Sequence, residues 1–181
     1  MKLMIASDLH GSSYYTKALL HRYAEEKPER LLLLGDLLYH GPRNDLPRDY
    51  DTKKCTAMLN ALGKPPLCVR GNCDGEVDQM VLNFPVLADF AAVFTDGITM
   101  YLTHGHHLEN AAKALSEGDV LLFGHTHVPE FTRKDGIFFV NPGSVSLPKE
   151  NSSHSFLIFE GGIFTWKNVE TGDVFRTEKV I

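Results

Sequence analysis

Leu3-Met4-Ile5-Ala6-Ser7, followed at once by Asp8-Leu9-His10-Gly11, is the stretch on which the fold turns. Residues 2–7 are a short apolar run stopped by acid and glycine, which reads as a buried strand. Ser12 or Ser13 then offers an oxygen to cap a helix. Its apolar positions, Tyr15, Ala18, Leu19, Tyr23 and Ala24, recur at helical spacing, and Pro28 ends it. Leu31-Leu32-Leu33-Leu34 repeats the first pattern and is stopped by Gly35-Asp36. Strand, helix and strand in that order predict a right-handed parallel unit, and so an α/β fold.

Working outward, residues 41–51 read as a loop and 52–62 as a helix. Leu67-Cys68-Val69 is a third strand, stopped at Gly71-Asn72-Cys73-Asp74, and a short helix over 76–83 leads to Pro85. Short β-like segments follow at 86–95, 98–103, 119–123, 130–134, 137–140, 154–160, 163–168 and 174–180, with one helix at 108–116. No repeat or linker interrupts the chain. The expectation is a single domain over 1–181, βαβαβ first and mostly antiparallel β after, with two sheets packed together.

At 181 residues, 43% hydrophobic and 23% charged, the composition excludes intrinsic disorder. A formal charge of −5 argues against a binder that works by neutralising nucleic-acid phosphates. Three cysteines without a C-x-x-C pair exclude a disulfide scaffold and the common thiolate zinc sites. No apolar run is long enough for a membrane span, and the opening run is too short for a secretory leader, so the expected home is cytoplasmic. Nine histidines is a high count for this length.

The polar residues that matter sit where strands end. Asp8 and His10 follow the first strand, Asp36 the second and Asn72 the third; His104 follows Tyr101-Leu102-Thr103, and His125 and His127 follow Leu121-Leu122-Phe123. Ligands of open α/β sheets bind beyond the carboxyl ends of strands. Each piece alone reads equally well as a turn. The joint occurrence carries the inference, and in His125-Thr126-His127 alternate residues of an extended segment face the same way. Imidazole, carboxylate and amide donors without thiolate suit Mn²⁺, Fe²⁺ or Zn²⁺. Seven donors suit two ions with a shared carboxylate. Two ions about 3.5–4 Å apart clamp the attacking and leaving oxygens of a displacement at phosphorus and acidify the water between them.

As a set, Asp8-x-His10, Gly35-Asp36, Gly71-Asn72-x-Asp74, Thr103-His104-Gly105-His106 and Gly124-His125-Thr126-His127 resemble the ordered motifs of the calcineurin-like metallophosphoesterases, from Met1 to about Pro148. Gly71-Asn72-Cys73-Asp74, His40-Gly41-Pro42-Arg43-Asn44 and Asn141-Pro142-Gly143-Ser144 further resemble the small bacterial phosphodiesterases of the YfcE type. The resemblance implies a four-layer α/β/β/α sandwich with two packed mixed sheets. It implies that Asp8, His10 and His127 hold one ion, that Asp36 bridges, and that Asn72, His104 and His125 complete the second. Asp74 would hold its neighbours by hydrogen bonds, and Asn141-Pro142-Gly143-Ser144 would pack beneath the ligands.

Cys73 departs from the superfamily pattern, in which that position is a histidine able to protonate the leaving oxygen. A neutral thiol is a poorer acid near pH 7, so a bias toward stable leaving groups, such as those of aryl diesters, is expected. His40 and Arg43, on the loop after Asp36, and His106, beside His104, are the candidate substrate contacts; for Arg43 the bland alternative is an ion pair with Asp45 or Asp49. His21 and His154 read as surface residues. Phe156, Phe159, Phe164, Trp166 and Phe175 read as filling between the sheets, with apolar edge strands able to support a homo-oligomer. The expected activity is hydrolysis of small phosphodiesters with two divalent ions, Mn²⁺ first and Fe²⁺, Zn²⁺ or Mg²⁺ behind it. The rivals are a phosphomonoesterase on the same site and a non-catalytic scaffold, as in the retromer subunit of this architecture. No membrane or nucleic-acid partner is expected.

Overall fold

In the computed structural model, which describes residues 1–180, β1 (Leu3–Ala6), α1 (Ser13–Glu26) and β2 (Arg30–Leu33) form the parallel unit, with Met4 opposite Leu31 and Ile5 opposite Leu32. Ser12 caps α1, its Oγ accepting from Tyr15 N–H at 3.2 Å. Lys27 ends it in the left-handed conformation, one residue before Pro28. Asp51 caps α2 (Thr52–Asn60), and β3 (Leu67–Cys68) and α3 (Glu76–Val81) follow. The rest of the chain is β4 (Ala91–Thr95), β5 (Ile98–Leu102), α4 (Leu108–Ala112), β6 (Val120–Leu122), β7 (Pro129–Lys134), β8 (Ile137–Pro142), β9 (Ser155–Glu160), β10 (Ile163–Asn168) and β11 (Val174–Lys179).

Two mixed sheets result, as expected. One runs β11-β10-β9-β1-β2-β3 and the other β4-β5-β6-β8-β7. Pairing after the third strand is mostly antiparallel, as expected, with two exceptions: β5 pairs β6 and β6 pairs β8 in parallel. Parallel neighbours need long crossovers. Residues 103–119, carrying α4, supply the first, and residues 123–136, carrying β7, supply the second. The expected helix over 108–116 stops at Ala112; beyond it a turn takes over, in which Ser116 N–H donates to the Asp119 carboxylate at 2.8 Å. Among the described residues α4 is the one helix after α3, so the layer outside the second sheet is thin.

Both faces of the first sheet are buried, which is why β1 and β2 read as unbroken apolar runs rather than alternating ones. Met4, Leu31, Leu33 and Ile158 pack under α1 and α2 against Leu19, Cys55 and Leu59. Their alternates Leu3, Ile5, Leu32 and Leu157 face Met100, Leu102, Val120 and Val140 of the second sheet. Burying each such side chain contributes about 1.5–3 kcal/mol. Phe159, Phe164 and Trp166 fill the space between sheets as expected. Phe156 instead lies in the helix-side core, and Phe175, on the edge strand β11, is exposed. The sandwich brings the carboxyl ends of β1, β2, β3, β5 and β6 to one edge.

Candidate metal centre

At that edge the backbone itself is unusual. Asp8, His10, Asp36, His125 and His127 all have positive φ, between 45° and 66°. Non-glycine residues rarely adopt this conformation, and it is held only where surrounding contacts over-determine it. Here the loops after β1 and β2 lock together: His10 N–H donates to Asp36 O at 2.9 Å and Asp8 N–H to Gly35 O at 3.1 Å. Ser144 and Ser146 hydroxyls both donate to the Asp8 carbonyl, at 2.8 and 3.1 Å. Asn141 Nδ2 donates to Gly124 O and Thr126 Oγ1, while Trp166 Nε1 donates to Asn141 O. The Asn141–Ser144 turn thus lies beneath the candidate ligands and ties them to the core.

Three imidazoles are anchored in the same way. Nδ1 lies 2.8 Å from Tyr39 O in His10, 2.6 Å from Leu34 O in His104 and 2.6 Å from Leu147 O in His127. A carbonyl only accepts, so each Nδ1 carries the proton and each Nε2 turns inward as an acceptor. Yet Nε2 of His10 and Nε2 of His127 are 3.2 Å apart. Two such nitrogens stand this close only with a cation between them, proton or metal. Asp8 Oδ1 lies 3.2 Å from His127 Nε2 and 3.6 Å from His10 Nε2, is buried, and among the described residues has no hydrogen-bond partner. Asp36 Oδ2 lies 3.4 Å from His104 Nε2 and 3.7 Å from His10 Nε2. Asn72 Oδ1 is 3.1 Å from His104 Nε2.

Donor atoms of Asp8, His10 and His127 lie within 4.8 Å of one another, as do those of Asp8, Asp36 and His104, and those of His10, Asp36 and Cys73. Buried carboxylate, imidazole and amide donors gathered at these distances fit divalent cations. His125 stands to one side, its ring edge-on to His104 at 5.2 Å, while its backbone N–H donates to Asp8 Oδ2 at 3.1 Å. Asp74 accepts from the N–H groups of Asp36, Leu37 and Gly71 at 2.7–2.9 Å, a clamp that fixes the loop carrying Asp36. Gly71 and Gly124 are required by close approach. A Cβ on Gly71 would lie 2.1 Å from Asp36 Oδ1, and one on Gly124 would lie 2.0 Å from Ser7 Oγ and 2.8 Å from Asp8 Oδ2.

Burial disfavours the charged form of every group here, and the mutual fields decide the outcome. It pulls His104 down, but the Asp36 and Asp8 carboxylates outweigh it and hold that imidazole up at about 9. Burial would raise Asp8, but the His10, His127 and His104 rings keep it well below the usual carboxylate range. Cys73 is pushed up to about 12 by burial and by the Asp36, Asp74 and Asp8 charges. His125 and His106 are both lowered, by burial and then by His104.

Two cavities flank the centre. One of about 490 Å³ lies over it, lined by Asp36, Arg43, Cys73, His125, His127 and Lys149. Another of about 680 Å³ is lined by Arg70, Phe90, Thr103, His106 and Ala111, and Asn72 borders both. Arg43 therefore faces the first cavity and, among the described residues, pairs with neither Asp45 nor Asp49. His106 lines the second. His40 borders neither; its ring packs between Tyr39 and Tyr50, at 4.8 and 5.2 Å. His154, expected at the surface, is half-buried: it stacks on Tyr15 at 3.9 Å and its Nδ1 meets Val145 O. His21 is exposed, beside Glu25. Lys149 escaped the sequence reading: a lone loop lysine after the Asn141–Ser144 turn carries no pattern.

Residues 1–161 match the model of the calcineurin-like phosphoesterase superfamily domain. The chain is 44% identical over 167 residues to the phosphodiesterase YfcE of Escherichia coli K12, covering 91% of this chain and 90% of that one. The solved structure of the E. coli protein superposes over all of both chains with a TM-score of 0.94. The phosphodiesterase MJ0936 of Methanocaldococcus jannaschii is 27% identical over 151 residues, 79% of this chain and 83% of that one. Vps29 of Entamoeba histolytica, solved with zinc, covers both chains fully at a TM-score of 0.66 but only 18% identity, a likeness of fold. The strand-end motifs, the two mixed sheets and these matches together show that this chain belongs to the calcineurin-like phosphoesterase superfamily.

Proposed function

We propose that this chain is a phosphodiesterase that acts on small phosphodiesters with two divalent cations, Mn²⁺ first among them. The carrying observation is the set of three carbonyl-anchored imidazoles turned toward the buried Asp8 Oδ1, partnerless among the described residues. Asp8, His10 and His127 would hold one cation, Asn72, His104 and His125 the other, and Asp36 both. When bound, the cations supply Lewis acidity toward phosphoryl oxygen and a water acidic enough to be deprotonated near neutrality. Mixed nitrogen and oxygen donors of this kind suit Mn²⁺ and Fe²⁺ as well as Zn²⁺.

The remaining work belongs to the chain's own groups. The backbone N–H of Cys73, which donates to Asp36 Oδ1 at 2.8 Å, and that of His125, which donates to Asp8 Oδ2, orient the two carboxylates. Arg43 and Lys149 bring positive charge to the cavity over the centre, where a phosphodiester anion is held. Asp74 positions Asp36 and takes no part in the reaction itself. Two cavities that meet at Asn72 give room for two ester groups, which favours a diester over a monoester. A scaffold role is disfavoured because every ligand position of the motif set carries a donor. We place the protein in the cytoplasm as one domain over 1–181, since Cys55, Cys68 and Cys73 are all free thiols.

The test strips metal with a chelator and reconstitutes with Mn²⁺, Mg²⁺, Zn²⁺ or Fe²⁺ over aryl mono- and diesters. Hydrolysis is expected to vanish on stripping and to return most strongly with Mn²⁺, on the diester. Faster turnover of the monoester with every metal would make it a phosphomonoesterase.

A further inference from the structure

The two cavities beside the centre are chemically unlike. The larger, about 680 Å³, is walled by Phe90, Ala111 and Ala114. Phe90 is 39% exposed as a residue, and its ring is stacked on Tyr101, with centroids 5.2 Å apart at 29°, so its other face is held in a fixed orientation. The charged groups of this cavity, Arg70 and Asp89, are one cation and one carboxylate, a balance that favours a neutral guest, and the Arg70 Nε already donates to Asp74 O. The smaller, about 490 Å³, contains Arg43 and Lys149, and among the described residues neither cation makes an ion pair within 4 Å. Unpaired cations in a cleft attract more negative charge than the reacting phosphodiester alone carries. Asn72 borders both cavities and its Oδ1 meets His104, so a phosphorus centred there has one substituent on each side.

We propose that the substrate is an unsymmetrical phosphodiester, with a flat aromatic or heteroaromatic group against Phe90 and, on the other oxygen, a short group whose second negative charge is held by Arg43 and Lys149. This rests on the phosphodiesterase reading and names the substrate class for it. Volumes of 490 and 680 Å³ are in the range that accepts groups of this size. Stacking orders the ring without demanding a particular substitution, whereas the cationic cavity selects by charge.

The experiment uses the Mn²⁺-loaded chain and two aryl phosphodiesters that share one leaving group, one with a methyl and one with a 2-carboxyethyl second ester. The carboxyethyl ester is expected to have at least tenfold higher kcat/KM. Arg43→Ala and Lys149→Ala each lower that ratio severalfold. Phe90→Ala raises KM for both esters about fivefold without moving the ratio, and Phe90→Tyr restores it. Calorimetric dissociation constants of the matching phenylphosphonate monoesters, whose phenyl group is bonded to phosphorus through carbon and cannot leave, follow the same ratios, measured before their alkyl ester is cleaved. A wild-type ratio near one, or Arg43→Ala and Lys149→Ala lowering both esters equally, would overturn the charged half, and an unmoved KM in Phe90→Ala the aromatic half. If neither ester is hydrolysed with any metal, the phosphodiesterase reading itself fails.

Discussion

At position 73 a thiol stands where the superfamily pattern has histidine. Its Sγ shares a donor group with His10 and Asp36, and burial together with the surrounding carboxylates pushes its pKa up to about 12 when no cation is bound. A neutral thiol brings no positive charge to a departing alkoxide. Cys73→His is therefore expected to raise kcat by about 10²-fold on esters with poor leaving groups and by much less on aryl esters, since general acids contribute that much where the leaving oxygen needs a proton. A plot of log kcat against leaving-group pKa checks this; parallel lines for the two proteins would sink it. Gly124 acts through space rather than chemistry. Gly124→Ala forces a methyl onto Ser7 Oγ and Asp8 Oδ2, and Mn²⁺ affinity is expected to fall about 10–100-fold, with partial recovery in Ser7→Gly/Gly124→Ala. Calorimetric Mn²⁺ titration of the three proteins measures it. The identities of Asp8, His10, Asp36 and His127 were legible in the sequence because only a few side chains bind metal. Their left-handed backbones, and the carbonyls of Leu34, Tyr39 and Leu147 that orient the imidazoles, were not: a carbonyl oxygen has no letter of its own.

Between elements, Glu26 at the end of α1 joins Lys2, just before β1, at 2.6 Å, and Lys167 on β10. Burial would raise Glu26, but Lys167 and Lys2 outweigh it and set its pKa below the ordinary glutamate value. A depressed folded pKa means stability present above the unfolded pKa and lost as pH falls through the folded one. Glu26→Gln is expected to cost about 1 kcal/mol at pH 7 and nothing once wild-type Glu26 is itself protonated. Urea midpoints at pH 7 and pH 3 check this; an equal gap at both would contradict it. Trp166 joins core to site. It is fully buried and donates to Asn141 O at 2.8 Å, so Trp166→Phe removes a buried hydrogen bond and side-chain volume and is expected to cost about 1–3 kcal/mol, read as a lower urea midpoint without loss of the fold. The strands themselves were legible from apolar runs and their stops. Their direction in the second sheet was not, because β5, β6 and β8 read alike whichever way a neighbour runs, and the crossovers through α4 and β7 decide it.

Over the whole molecule, two packed sheets bring residues as distant as Asp8 and His127 to one edge, and the formal charge of −5 takes on a local meaning. Two divalent cations would bring it to about −1, so part of the acidity is the centre's own. The cavities, by contrast, were invisible in the sequence, since Phe90, Arg43 and Lys149 converge only through loops. The central claim is that Asp36 joins two cations that make phosphodiester hydrolysis possible. Its most direct test is the rate of aryl phosphodiester hydrolysis by the metal-stripped chain as Mn²⁺ is added, for wild type and Asp36→Ala. Wild type is expected to start at zero and saturate near two Mn²⁺ per chain, with Asp36→Ala at least about 10³-fold slower. Hydrolysis that survives both stripping and Asp36→Ala would contradict the account.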